Sequence, residues 1–571
     1  MKKQGIKGLA FLAATGILVT GCDLLKDLEY KVTPSPLEMH ADSVRVKIEV
    51  KFPEKGIKKK ASAELTPVLG STPLKTVTVQ GEKATGNGTV IQYKPGGTMV
   101  YQDVVAYKPE MEYTDLRITG KVYKGGKEKK DKFQDQVIAK GTIITPYLVN
   151  KDFRVIYAKD DFKRVLEYDT VATINFEVAK SVVRPAELKD KDIKDLGMWL
   201  AAAQNNSKIN IKSIDITGYA SFEGEEAKNT SLSSDRAAAG KKVTMDLAKK
   251  EKNQKAQTEI YNLSGRGEDF DGFKAELQKN TKIKQEEKDL ILRVLSMYSD
   301  PNQRETEMRN LGKTFVEVEK NVFPKQRRCE IKVVYDLTGY SDEELKSISV
   351  SEPQKLTSEE LLFTASLSDN VDEKLRLYKE AATKDPSDYR AENNIGAAYY
   401  EKGMMGEAKF HFEKANAIKD NPISKNNLGA IAGVNGERAK AAQLFSQANG
   451  ASGWGKGNEV NYNKGIIAIQ NGKYADAVSN FGSENTFNKA LAQLENGNAD
   501  GAIKTIDASN EKESGQGYYL KAIANARMDK LDATVSNLKS AIAKDSNLKA
   551  KAAKDREFLK YEDNAALSFV K

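Results

Sequence analysis

Histidine and cysteine are nearly missing from this chain, with two of each among 571 residues. Two cysteines cannot build a disulfide framework. His40 and His411 lie far apart in sequence, which argues against a zinc site of His and Cys ligands. Catalytic signatures are missing too. There is no Gly-x-Ser-x-Gly elbow and no histidine near a candidate serine. Ser-x-x-Lys occurs at Ser536–Lys539 and Ser546–Lys549, but no Lys-Thr-Gly completes that set. Gly265-x-Gly267 lacks the third glycine of a phosphate loop. Carboxylate neighbours such as Asp160-Asp161 and Glu225-Glu226 carry no weight in a chain that is 30% charged. No clustered basic and aromatic module points to nucleic acid. The expectation is a protein that is not an enzyme and takes no cofactor or metal.

Long apolar runs are also scarce, and the one present stands at the start. Lys2, Lys3 and Lys7 precede an apolar stretch from Leu9 to Val19. A bilayer span needs roughly 20 apolar residues, so this stretch has the layout of a secretory signal. It ends in Val19-Thr20-Gly21-Cys22, which resembles the lipobox of bacterial lipoproteins. The resemblance implies that residues 1–21 are removed and Cys22 is acylated, with 22–36 as a tether. Each buried CH₂ contributes roughly 0.8 kcal/mol, so several acyl chains anchor stably where one does not. Cys329 is then left without a partner. The net charge of +9 suits proximity to anionic envelope polymers or lipid, although scattered lysines ordinarily mean solvated surface.

Three regions follow. Over 37–152 the pattern is β. Val44, Val46, Ile48, Val50 and Phe52 alternate with polar residues, as one buried face of a strand requires. Shorter alternations recur between turns such as Lys94-Pro95-Gly96-Gly97. The expectation is one or two small antiparallel sandwiches serving as spacer or interaction module.

Over 153–340 the pattern is α+β, with a helical insertion near 268–325. A strand at Val171–Phe176 leads to a helix-periodic stretch at Leu188–Leu200 and a second strand at Ile209–Gly218. A helix then carries Asn229, Leu232 and Arg236, spaced to share one stripe. Arg236 can pair with an acidic neighbour on a solvated face, or with a ligand carboxylate, which guanidinium grips bidentately. Asn229, Leu232-Ser233, Arg236-Ala237, Ser264–Glu268 and Gln326–Val334 together resemble the OmpA C-terminal-like family. That resemblance implies peptidoglycan binding, with Ser221, Asn229, Arg236, Arg327 and Arg328 as candidate contacts. It also implies the outer membrane, periplasmic side. The family usually has an aspartate for the diaminopimelate ammonium where this chain has Ser221, in Gly218-Tyr219-Ala220-Ser221.

After a linker at 341–357, residues 358–571 are repetitive. Ile395-Gly396, Gly403, Ala408, Phe412 and Ala415 recur 33 residues on as Leu428-Gly429, Gly436, Ala441, Phe445 and Ala448. Gly465, Gly472, Ala477 and Phe481 continue the series. This period, with small residues at helix crossings, resembles tetratricopeptide repeats, and about five helix pairs should stack. Such an array presents a concave surface to protein partners. Asn394, Asn427 and Asn463 either contact a ligand backbone there or satisfy turns and caps. The expected whole is a membrane-anchored scaffold linking outer membrane to peptidoglycan. The alternative is an accessory or assembly subunit of an outer-membrane or secretion complex without wall binding.

Overall fold

The computed structural model describes residues 24–130, 133–223 and 225–571, so Cys22 and its leader lie outside the described residues. No helix among the described residues is long and apolar enough to cross a membrane. The chain forms two compact units: everything up to Asp160 together with Ala365–Lys571, and Asp161–Thr364.

The first unit begins with a β-rich region of two sheets. Ser43–Phe52 is central to one, pairing antiparallel with Glu29–Thr33, Met39–His40 and Gly97–Ala106. Its burial alternates residue by residue, with Val44, Val46, Ile48, Val50 and Phe52 inward. Ala61–Leu69 is central to the other sheet, between Asp115–Lys124 and Val77–Gly81. Thr89–Ile91 joins that sheet parallel to Val77–Gly81. The inward faces of both sheets share one apolar core, which makes the region a single sandwich.

The rest of this unit is an all-α repeat array. Five helix pairs follow one another among the described residues: Tyr389–Glu401 with Met405–Ile418, Pro422–Val434 with Arg438–Gln447, Glu459–Gln470 with Tyr474–Phe481, Phe487–Glu495 with Ala499–Asp507, and Gly515–Arg527 with Leu531–Lys544. Val371–Lys384 precedes them. Glycine and phenylalanine set the crossing within each of the first three pairs. A Cβ added to Gly396, Gly429 or Gly465 would lie 2.6, 2.7 or 2.6 Å from the ring of Phe412, Phe445 or Phe481. The first helix of each of these pairs ends at a left-handed glycine, Gly403, Gly436 or Gly472, where other residues would be strained.

Residues 153–160 were expected with the α+β region. They instead belong to this first unit, as an extended stretch against the repeats. Periodicity gave no warning, because the stretch belongs to no named strand or helix.

In the second unit, four strands lie in the order Val165–Asn175, Arg328–Thr338, Ile209–Ala220, Tyr261–Glu268. Only the last two are parallel. Helices Lys191–Asn205 and Glu226–Lys250 supply apolar residues to the sheet's core. Cys329 is buried there, and burial pushes its thiol up to about 12, so it stays protonated and inert. The insertion forms five short helices between Phe270 and Gln326, with their own core around Phe273, Ile291, Phe315 and Phe323. The stretch expected as a linker contains a helix, Asp342–Ser351, started by a capping box at Ser341 and Glu344. Leu345 is fully buried, so the helix is packed rather than tethering.

Candidate functional site

An extended backbone outside a sheet must satisfy its N–H and C=O groups in some other way. Between Asn150 and Ala158 this chain does so with asparagine side chains, each of which offers both an acceptor and a donor. The Ala158 N–H donates to Oδ1 of Asn394 at 2.7 Å, and Nδ2 of Asn394 donates back to the Ala158 carbonyl at 3.0 Å. Asn427 makes the same pair with Ile156 at 2.8 and 2.9 Å. Asn463 makes it with Arg154 at 2.7 and 2.8 Å, and Asn488 with Asn150 at 2.8 and 2.9 Å. The four asparagines sit on the first helices of four successive pairs, so the segment runs opposite to the order of the repeats.

A second row supports the first. Asn393 and Asn426 donate to the carbonyls of Ile156 and Arg154, both at 3.0 Å. They also bond to the ladder itself: Asn427 donates to Asn393 and Asn463 to Asn426, both at 3.0 Å. All six of Asn393, Asn394, Asn426, Asn427, Asn463 and Asn488 are buried. The bonds between the two rows hold these amides against one another as well as against the segment.

Side chains of the segment add specific contacts. Phe153 is buried in the repeat core, stacked on Phe445 with 6.0 Å between ring centroids. A Cβ on Gly433 would come within 2.5 Å of the Phe153 ring, so a glycine makes that seat. Arg154 lies 3.4 Å over the face of Tyr462 and reaches Glu484 bidentately at 2.7 and 2.8 Å. Bonding to Arg154 is the first cause that holds the Glu484 carboxyl down at about 2, helped by Asn458 and Lys456. Ile156 and Ala158 pack with Ile423. Tyr400 donates to the Phe153 carbonyl at 2.9 Å, and Tyr462 to Asp152 at 2.8 Å.

In the second unit four of the five candidate wall-binding residues, Ser221, Asn229, Arg236 and Arg327, gather around one turn. Arg236 has no exposed surface. Its guanidinium donates to three backbone carbonyls: Tyr219 at 2.7 Å, Lys180 at 3.1 Å and Glu177 at 3.2 Å. Burial first, and the charge of Arg327 second, bring Arg236 down to about 10. Ser221 donates to Glu223, whose carboxylate accepts from Arg327 at 2.7 Å. Asn229 donates to the Ser221 carbonyl at 3.0 Å and to Glu268 at 2.8 Å. Arg328 faces Asp269 at 2.6 Å and Glu330 at 2.7 Å instead of joining this group. On the helix, Ser233 rather than Leu232 is the fully buried companion of Asn229 and Arg236. It accepts from the Gly267 N–H at 2.9 Å. Among the described residues, the Gln326 side chain and Nε of Arg327 are buried without a hydrogen-bond partner.

Among the described residues no group of three or more His, Cys, Asp or Glu side chains is placed to hold a metal.

No family model matches the chain, and no curated protein matches it. Solved structures do match, over the repeat-sized share of the chain. One is the APC/C hetero-tetramer Cut9-Hcn1, at 13% identity and TM-score 0.32, covering 39% of this chain and 45% of that one. Here the match spans less than half of the other protein's length. Another is the PilF protein of Pseudomonas aeruginosa, at 16% identity and TM-score 0.29, covering 38% of this chain and 96% of that one. A tetratricopeptide repeat protein from Parabacteroides merdae matches at 15% identity and TM-score 0.27, covering 40% and 90%.

Asn394, Asn427 and Asn463 were singled out in the sequence with a ligand backbone and local capping both open. In the structure all three bond the backbone of their own chain, at Ala158, Ile156 and Arg154. Sequence reading missed Asn488, Asn393, Asn426, Tyr462 and Glu484. Asn488 stands two residues before Ala490, as Asn463 stands before Gly465. Asn488 precedes Lys489-Ala490, so a search for asparagine directly before an x-Gly pair passes over it although the repeat copy itself is legible. The Asn393-Asn394 and Asn426-Asn427 doublets were a further visible signal.

Proposed function

We propose that this chain is a membrane-anchored scaffold of the bacterial cell envelope that works by binding and not by catalysis. The observation that carries the binding reading is the asparagine ladder. It is a surface on the repeats that holds an extended segment by its main chain. The leader and the Val19–Cys22 run support export and acylation at Cys22. The strand and helix order of the second unit, with Asn229, Arg236 and the Arg327-Arg328 strand, supports an OmpA-like domain. That resemblance in turn supports the outer membrane, periplasmic side.

Of the two roles open to such a scaffold, the geometry favours an accessory or assembly subunit over a wall anchor. The Arg236 guanidinium is committed to three carbonyls and has no exposed surface. Receiving a ligand carboxylate would require breaking bonds already made. The wall-binding reading keeps one observation in its favour. Among the described residues, the Gln326 side chain and Nε of Arg327 are buried without hydrogen-bond partners, and such groups are costly unless something satisfies them.

Two measurements test this. A clickable fatty acid should label the chain in cells and fail to label Cys22→Ala; equal labelling would end the lipoprotein reading. The intact soluble chain from residue 23 should stay in the supernatant with purified sacculi. Sedimentation that Ser221→Asp strengthens would restore the wall-anchor role.

A further inference from the structure

Backbone recognition by asparagine is blind to sequence, so a ladder of this kind accepts any extended chain. Selectivity has to come from the seats between its rungs, and the docked segment displays them. One seat takes an aromatic ring against Gly433 and Phe445. The next takes a guanidinium between Glu484 and the Tyr462 face. Two residues further on, Ile156 and then Ala158 fill apolar seats with Ile423.

The segment is held almost entirely by side chains of the repeats. Its main chain pairs with no strand beyond one isolated bridge, where the Trp454 N–H donates to the Tyr157 carbonyl at 2.8 Å. Leaving the groove would therefore break no sheet.

We propose that the repeat groove is a peptide receptor closed by its own chain. Asn150–Ala158 is the resident ligand. The outside ligand is an extended segment of a partner protein with the order aromatic, arginine, aliphatic, aliphatic, aromatic, small, since Val155 and Tyr157 also pack against the repeats. This rests on the reading that the repeats serve protein binding, and it names the class of partner. A tethered ligand acts at millimolar effective concentration, so an outside peptide of equal quality cannot compete until the resident one is withdrawn.

The test uses the intact chain from residue 23 and a fluorescent peptide with the sequence of residues 148–160, read by anisotropy. The wild type should bind it at least tenfold more weakly than Phe153→Asp/Arg154→Glu, in which the resident segment is disfavoured. Adding Glu484→Lys to Phe153→Asp/Arg154→Ala, where no resident carboxylate can pair with the new lysine, should abolish binding of the arginine peptide and create binding for a peptide with glutamate in its place. Equal binding by wild type and variant would overturn the proposal, as would no binding by a variant that keeps its helical circular dichroism. If the double variant loses its helices, Arg154→Glu alone, which disfavours the resident segment but keeps the Phe153 side chain, should still bind the peptide more tightly than wild type. No gain from Arg154→Glu would also overturn it. Acylation at Cys22 and sedimentation with sacculi do not involve the groove, so failure here is distinguishable from failure of the envelope reading.

Discussion

An asparagine that faces an extended backbone does with one side chain what a neighbouring strand does with its main chain. Asn427 does this at full burial, and it also donates to Asn393, so its amide is shared between ligand and ladder. Asn427→Ala would leave the Ile156 N–H without its acceptor. A buried polar group left unpaired costs roughly 1–3 kcal/mol, so this variant should melt measurably lower in the intact chain. Asn435→Ala is a suitable control, because Asn435 closes a helix and lies outside the ladder. A second residue-scale prediction concerns Gly429. Its missing Cβ is the space that Phe445 fills, at 2.7 Å from the position a Cβ would take. Gly429→Ala should overpack that crossing at a cost of roughly 1–3 kcal/mol, read as a lowered melting temperature. Substitution at Gly406, where an added Cβ meets nothing within 4 Å, should be far milder.

At the scale of elements, the docked segment is fastened by one ion pair with a clear pH signature. Glu484 sits at about 2, below the ordinary carboxylate value of 4.5, first because Arg154 bonds to it. A carboxyl lowered by folding stabilises the fold above its unfolded value, and that stabilisation is lost as pH falls through the folded one. The chain should therefore lose stability between about pH 4.5 and pH 2, and Glu484→Gln should flatten that part of the profile. Denaturation at a series of acid pH values reads both. Elements differed in how legible they were. The strand Ser43–Phe52 could be read because one face is buried and the other is wet. The helix pairs could be read because Gly396 and Phe412 must recur together for each crossing to close. The segment Asn150–Ala158 could not be read as an element. Its partners are side chains more than 200 residues away, and nothing local in the sequence encodes them. In the second unit Ser221, Asn229, Arg236 and Arg327 lie around one turn and Arg328 does not, and the partners of Arg236 are backbone carbonyls, which no sequence pattern displays.

At the scale of the whole molecule, the segment makes the sandwich and the repeats parts of one compact unit. Other ties act alongside it. Thr145 donates to Glu557 at 2.5 Å, and Tyr147 donates to Asp42, which also pairs with Arg438. A fragment of residues 365–571 alone should accordingly melt below the intact chain, since its asparagines lose the backbone they were built to meet. A peptide of residues 148–160 added in trans should raise that melt in a concentration-dependent way. A ligand at 100 times its dissociation constant contributes about 2.7 kcal/mol. The central claim is that the repeats hold their own chain as an extended ligand, and amide hydrogen exchange on the intact protein tests it most directly. The amides of Arg154, Ile156 and Ala158 should exchange slowly, and Asn427→Ala should expose Ile156 first. Exchange at all three as fast as in an unstructured peptide would contradict the account.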